Sequence, residues 1–178
     1  MPRFRDIRLF TQARYTVHVG WDYLETWLTD NENLKCGLQL NPEFQRGHVW
    51  TEAQQVAYLE YRIRGGLGAN ELFWNCAGWM KLGANSFEGP MYLVDGLQRL
   101  TAVRRFMADE IPIFGHKLSE YEDKLDRIRN TFVMAVNDLD NYADVLQWYI
   151  DLNAGGVVHS TTEIERVRKL LEKEKEQK

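Results

Sequence analysis

The residues best placed to do chemistry lie in the run Val94-Asp95-Gly96-Leu97-Gln98-Arg99-Leu100-Thr101. A short apolar stretch ends at Asp95-Gly96, and a helical pattern starts at once. The first turn of a helix carries N–H groups with no intrahelical partner, and a glycine there lets another group come close, so such a junction suits an anion. Arg99, in the first turn, can clamp a phosphate through paired N–H bonds. Thr101 adds a hydroxyl, and Asp95, at the strand end, can hold a divalent ion or a ribose. The structural alternative is that Asp95 only caps the helix and Arg99 is its surface partner.

Two further segments carry functional side chains. Asn41-Pro42-Glu43-Phe44-Gln45-Arg46-Gly47-His48-Val49-Trp50 sets Gln, Arg and His between a proline turn and a helix start. Loops fixed in this way often carry function. Alternatively the loop only leads into the helix, with Phe44 and Trp50 packed inward and Arg46 solvated. Leu152-Asn153-Ala154-Gly155-Gly156 follows a helical stretch, where a glycine pair commonly ends the helix. Several familiar sites are missing. The chain has no GxxxxGK[ST] and no GxGxxG after a strand. Neither HExxH nor GxSxG occurs. His18, His48, His116 and His159 have no second ligand at metal spacing.

The elements that must position these residues are legible from spacing. Arg14 to Val19 alternates and predicts a strand, and Trp21 to Leu28 reads as a helix, with residues 30–36 as a polar connection. Leu38 to Leu40 is a short strand before the Asn41-Pro42 turn. Thr51 and Gln54 form a capping box for a helix with Val56, Leu59 and Ile63 on one stripe, closed by Gly65-Gly66. Leu72 to Cys76 and Met91 to Val94 read as strands, with a loop over Ala84 to Pro90 between them. The helix after Gly96 turns Leu100, Val103 and Met107 inward and Arg99, Arg104 and Arg105 away. Ile111 to Phe114 reads as a strand, Ser119 to Asn130 as a helix, Thr131 to Val136 as a strand and Asn141 to Leu152 as a helix. Ser160 and Glu163 form a second capping box, opening a last helix that frays from Glu172 into EKEKEQK. Strands and helices do not alternate regularly enough for a doubly wound sheet, so the reading is α+β, one domain over residues 1–178 with a C-terminal helix over 160–178.

Composition bounds the function. Of 178 residues, 44% are hydrophobic and 27% charged, which is globular rather than disordered. The net charge of −4 excludes a general nucleic-acid coat. The charged start MPRFRDIRLF lacks the apolar core of a signal peptide, so a cytoplasmic protein is expected. Cys36 and Cys76 are too far apart for a CxxC site and are expected to be reduced.

NPEFQRGHVW, then YLVDGLQRLTAVRRF, then LQWYIDLNAGGVVHSTTEI, in that order, resemble the N-terminal domain of GmrSD-type restriction enzymes. That family lies in the ParB and sulfiredoxin superfamily, and the likeness runs from about Tyr15 to Leu170. The resemblance implies a ParB-like mixed sheet with packed helices, a bound nucleoside triphosphate and Mg2+. It puts phosphate at Gly96, Gln98, Arg99 and Thr101, with Asp95 near the metal and Asp95 and Arg99 as catalytic residues. Gln45 and Arg46 would face the nucleotide, and Asn153 with Gly155-Gly156 would border the pocket. In such enzymes this domain couples nucleotide binding or hydrolysis to attack on foreign DNA, as phage defence. The family's DGQQR is DGLQR here, with Leu97 in place of the first glutamine. No HNH-like nuclease motif follows, so cleavage would need a separate nuclease subunit or another protein partner. The expectation is therefore an NTP-binding domain and weak NTPase; the alternatives are a nuclease in its own right or a non-catalytic protein that binds DNA or a protein.

Overall fold

A computed structural model describes residues 3–33, 37–45, 47–81, 89–126, 129–154 and 161–176. Its centre is a mixed five-stranded sheet in the order β1-β5-β3-β4-β2. The strands are β1 (Tyr15–Gly20), β2 (Leu38–Gln39), β3 (Glu71–Asn75), β4 (Met91–Asp95) and β5 (Thr131–Asn137). β5 runs antiparallel to β1 and parallel to β3, while β4 runs antiparallel to β3 and parallel to β2. The expected α+β class is what the chain forms.

Alternation along the strands divides the core into two layers, because successive side chains leave a strand on opposite faces. Leu72 and Trp74 of β3, Met91 and Leu93 of β4, and Phe132, Met134 and Val136 of β5 join one cluster. Helices α1 (Leu24–Glu32), α2 (Glu52–Ile63) and α3 (Leu97–Met107) pack there through Leu24, Leu28, Leu59, Leu100, Val103 and Phe106. Phe73, Tyr92 and Val94 face the other way, toward α4 (Tyr142–Ala154) and α5 (Thr161–Glu176). There they meet Leu146, Trp148, Tyr149 and Val167. Sheet order and alternation thus place the DGLQR turn at the end of β4 on the α3 side and the third segment on the α4 side.

The capping box of α2 forms as its spacing predicts: Thr51 Oγ1 accepts from Gln54 N–H at 3.3 Å, and Gln54 Oε1 accepts from Thr51 N–H at 2.9 Å. Asn141 Oδ1 accepts from Ala143 N–H at 3.0 Å and opens α4. Cys76 is buried and not in a disulfide, while Cys36 lies outside the described residues.

Three expectations need correction. The polar run after residue 30 is partly helical, because α1 continues to Glu32 with Asn31 buried and bonded to Trp27 O at 2.7 Å. Ile111 to Phe114 is no strand. Ile113 and His116 exchange both backbone bonds, at 2.8 and 2.9 Å, so this segment satisfies its polar groups within its own turn. Of the helix expected over Ser119 to Asn130, only a 3-10 turn at Leu118–Glu120 forms among the described residues. Leu118, Tyr121 and Leu125 do pack on the core, and the Tyr121 hydroxyl donates to Ile113 O at 2.8 Å. Among the described residues, their helical spacing reflects burial on the core rather than a continuous helix. The C-terminal helix runs to Glu176, with Lys173 and Lys175 complementing the negative end of its dipole. The loop at 84–88, Gly155-Gly156 and Ser160 lie outside the described residues, and so do the loops' Arg46 and the start of the second capping box. No helix among the described residues is long and apolar enough to cross a membrane.

Candidate functional site

Gly96 is the N-cap of α3, at φ +113, and among the described residues no side chain caps this helix. A Cβ on Gly96 would lie 2.4 Å from Leu72 Cδ2. The glycine is therefore required both by its left-handed backbone and by the approach of β3 from inside the protein. Leu97, the residue that departs from DGQQR, is buried in the core beneath α3. That position points away from solvent, so the substitution alters packing rather than the polar surface of the turn.

Arg99 and Asp95 form an ion pair at 2.7 Å, Nη2 to Oδ2, and the same Nη2 donates to Glu71 O at 3.0 Å. Both side chains are largely shielded, at 22% and 28% exposure. Arg99 Nε is buried with no hydrogen-bond partner. One nitrogen of the guanidinium therefore makes its protein bonds, and the rest of the fork is unused among the described residues. The structural alternative is realised in part: Asp95 is the partner of Arg99, but it does not cap the helix.

Gln98 turns back onto the loop before α2. Its Oε1 accepts from Val49 N–H at 2.9 Å and Trp50 N–H at 3.0 Å, and its Nε2 donates to Gly47 O at 3.2 Å. One amide thus fastens the FQR…W loop to the DGLQR turn. Gln45 Nε2 donates to Leu93 O on β4, at 2.5 Å. Phe44 is fully buried among Tyr92, Tyr142 and Tyr149, with ring centroids 6.1, 6.1 and 5.4 Å away. Trp50 packs on Tyr58 at 5.4 Å on the other side of the sheet. The loop after the edge strand β2 therefore rounds the sheet edge, with Phe44 in one layer and Trp50 in the other. Thr101 Oγ1 donates to Leu97 O at 2.8 Å, one helical turn back. Asn153 is buried within α4 and donates to Tyr149 O at 2.7 Å.

The structure thus brings the three segments together. The first two touch through Gln98, and the third reaches the loop through Tyr149 against Phe44. The side-chain amides of Gln45, Gln98 and Asn153 and the hydroxyl of Thr101 all bond to the protein's own backbone. Arg166 of α5 had no place in the sequence reading. It donates to the carbonyls of Glu43, Phe44 and Gln45, at 2.7, 3.0 and 3.3 Å. More than a hundred residues separate the partners, so no local pattern signals this. Tyr58, also missed, lies within the field of Arg99. Burial pushes its hydroxyl up to about 12, with Arg99 and Arg62 pulling the other way. His48 titrates below its ordinary range because of burial and the charge of Arg105.

Asp95 is the carboxylate a metal would use. The described residues hold no group of three His, Cys, Asp or Glu side chains suited to a metal. A Mg2+ that takes one carboxylate and completes its shell with phosphates and water fits one Asp; a cation caged by protein ligands does not. Against known proteins, the chain matches no family model, no curated protein and no solved structure. The resemblance to GmrSD-type domains rests on the three segments alone.

Proposed function

We propose that the chain is a ParB-like, GmrSD-type domain that binds a nucleoside triphosphate at the DGLQR turn. The observation that supports this best is the pairing of an uncapped helix start with an arginine whose fork is mostly unused. A phosphate there accepts the first-turn N–H groups of α3 and the spare donors of Arg99. Gln98 and Gln45 act indirectly, holding the loop over the turn. Asp95 would hold Mg2+ together with the phosphates, and the ion supplies neutralisation of phosphate charge. Hydrolysis, coupling to DNA restriction and recruitment of a separate nuclease subunit extend the same reading.

A second reading draws on how fully the amides and the Asp95–Arg99 pair are satisfied within the chain. In that case the turn is a latch, and the domain is a non-catalytic module that binds DNA or a protein. Thermal melting with ATP, GTP, CTP and UTP, with and without Mg2+, separates the two. A triphosphate at a hundred times its Kd stabilises the fold by about 2.7 kcal/mol. Arg99→Ala is expected to stay folded and lose about 1.5–3 kcal/mol of nucleotide affinity. No shift with any nucleotide would favour the latch. A shift that survives in Arg99→Ala would move the nucleotide elsewhere.

A further inference from the structure

On the α4 face of the sheet, away from the DGLQR turn, lies a cavity of about 300 Å3. Its lining includes Phe10, Phe73, Trp148, Glu71 and Asp151. The segment ahead of β1 passes over it and is tied down at two points. Asn137 Nδ2 donates to Gln12 O at 3.1 Å, and Arg14 N–H donates to Val136 O at 3.1 Å.

Asp151 is the unusual group here. Its side chain is only 5% exposed. One oxygen, Oδ1, accepts from Arg8 Nη2 at 2.5 Å and Gln147 Nε2 at 2.9 Å. The other, Oδ2, is buried with no hydrogen-bond partner. A buried carboxylate oxygen without a donor is costly, and native structures rarely leave one so. Glu71, across the cavity, forms no ion pair among the described residues. The two carboxylates outweigh the one charge of Arg8, which leaves the site net negative. Phe10, Phe73 and Trp148 add aromatic faces that attract organic cations. Arg8 shows this chemistry in the chain itself: its guanidinium lies 5.8 Å from the Phe10 ring centroid while it bonds Asp151.

We propose that this cavity binds a small organic cation, an ammonium or guanidinium compound, with the under-satisfied Asp151 carboxylate as its acceptor and Glu71 as the second counter-charge. The aromatic walls exclude a strongly hydrated metal ion in favour of a cation with an apolar stem. This site lies on the opposite face of the sheet from the DGLQR turn, and Glu71 joins the two through its carbonyl, which accepts from Arg99.

The test is a titration of the 15N-labelled full chain with agmatine, at constant ionic strength, with KCl as the control. The indole N–H of Trp148, which has no hydrogen-bond partner, is the reporter, assigned by Trp148→Phe. Agmatine is expected to shift that signal saturably, and KCl to leave it in place. Asp151→Asn and Glu71→Gln are each expected to weaken binding about tenfold or more. If Asp151→Asn does not fold, Glu71→Gln decides alone, since the Glu71 side chain is exposed and unpaired. The proposal is overturned by a Trp148 signal that does not saturate, by the same shift with KCl, or by unchanged agmatine affinity in either folded variant.

Discussion

On the α2–α3 face, Gln98 meets three backbone groups of one loop, Thr101 closes on its own helix, and Asp95 holds Arg99. On the α4–α5 face, a buried carboxylate oxygen and an indole N–H beside one cavity have no partner. The first face carries the conspicuous sequence motif, yet most of its polar side chains serve to assemble the turn. The second carries the third segment, and within it Trp148 and Asp151 retain unused capacity to bond. A motif marks where a chain needs particular residues; it does not say whether those residues meet a ligand or each other. Unused polar atoms next to open volume are the complementary signal, and only three-dimensional placement gives it.

The comparison can be broken most forcefully at the loop that joins the two faces. Phe44 is fully buried in the α4–α5 layer, so Phe44→Ala should cost about 3–5 kcal/mol. Its cavity would form where the loop is anchored, so the loss should reach the DGLQR face as well. Urea unfolding at constant m-value measures the cost, and loss of the stabilisation expected from the proposed nucleotide measures the reach. If stability falls but nucleotide binding does not, the two faces are mechanically separate.

Next in size is Gly96→Ala. The new Cβ meets Leu72 at 2.4 Å, on a backbone at φ +113. Left-handed strain and overpacking together should cost about 2–4 kcal/mol. A loss under about 0.5 kcal/mol in the same unfolding assay would show that β3 and the turn can separate freely. The tight fit between strand and turn would then have no energetic meaning.

These two sites also show what the sequence can and cannot reveal. Alternation in β1, the strand-forming run of β5, the Thr51–Gln54 box and the strand-to-helix break at Gly96 are local patterns, and each is legible. The same holds for the region of the candidate site, since its three segments converge. The bonding within it was not legible. Residue type points Gln45, Gln98, Thr101 and Asn153 toward a ligand, whereas their hydrogen bonds run to the chain's own backbone. Gln98 bonds a loop about fifty positions earlier, and Arg166 bonds one more than a hundred positions earlier. Spacing carries no information about such pairs. Residues 118–125 failed for a related reason: a helical apolar spacing reports which side chains are buried, not which backbone bonds form.

Gln98→Ala sharpens the contrast at smaller cost. It removes both acceptor bonds to Val49 and Trp50 and the donor bond to Gly47, but these loop groups can turn to water. The expected loss is about 1–2 kcal/mol. Amide hydrogen exchange at Val49 and Trp50 should speed up while that in β4 stays slow. Unchanged exchange at both would mean that Phe44 and Arg166 alone hold the loop, and that the amide staple is redundant.

The smallest effect at neutral pH is expected at Tyr58, and it probes the field of the Arg99 face directly. Its hydroxyl donates to Ala69 O at 2.9 Å, so Tyr58→Phe should cost about 1 kcal/mol near pH 7. The pH dependence is more telling. In the fold burial moves the hydroxyl from 10.0 up to about 12. Between those values the unfolded chain has released a proton that the native chain still holds, so stability must fall as pH rises. One such group sets a limiting slope of about −1.4 kcal/mol per pH unit in that window, and nothing below it. Tyr142 is also raised to about 12, chiefly by burial, so part of the alkaline decline should persist in Tyr58→Phe. Unfolding at a series of pH values from 8 to 11 would read the difference between the two slopes. Parallel slopes would mean that Tyr58 ionises as readily in the fold as in the open chain. The positive charges of Arg99 and Arg62, which favour the phenolate, would then offset burial in full, and the DGLQR turn would carry a stronger field than its closed ion pair suggests.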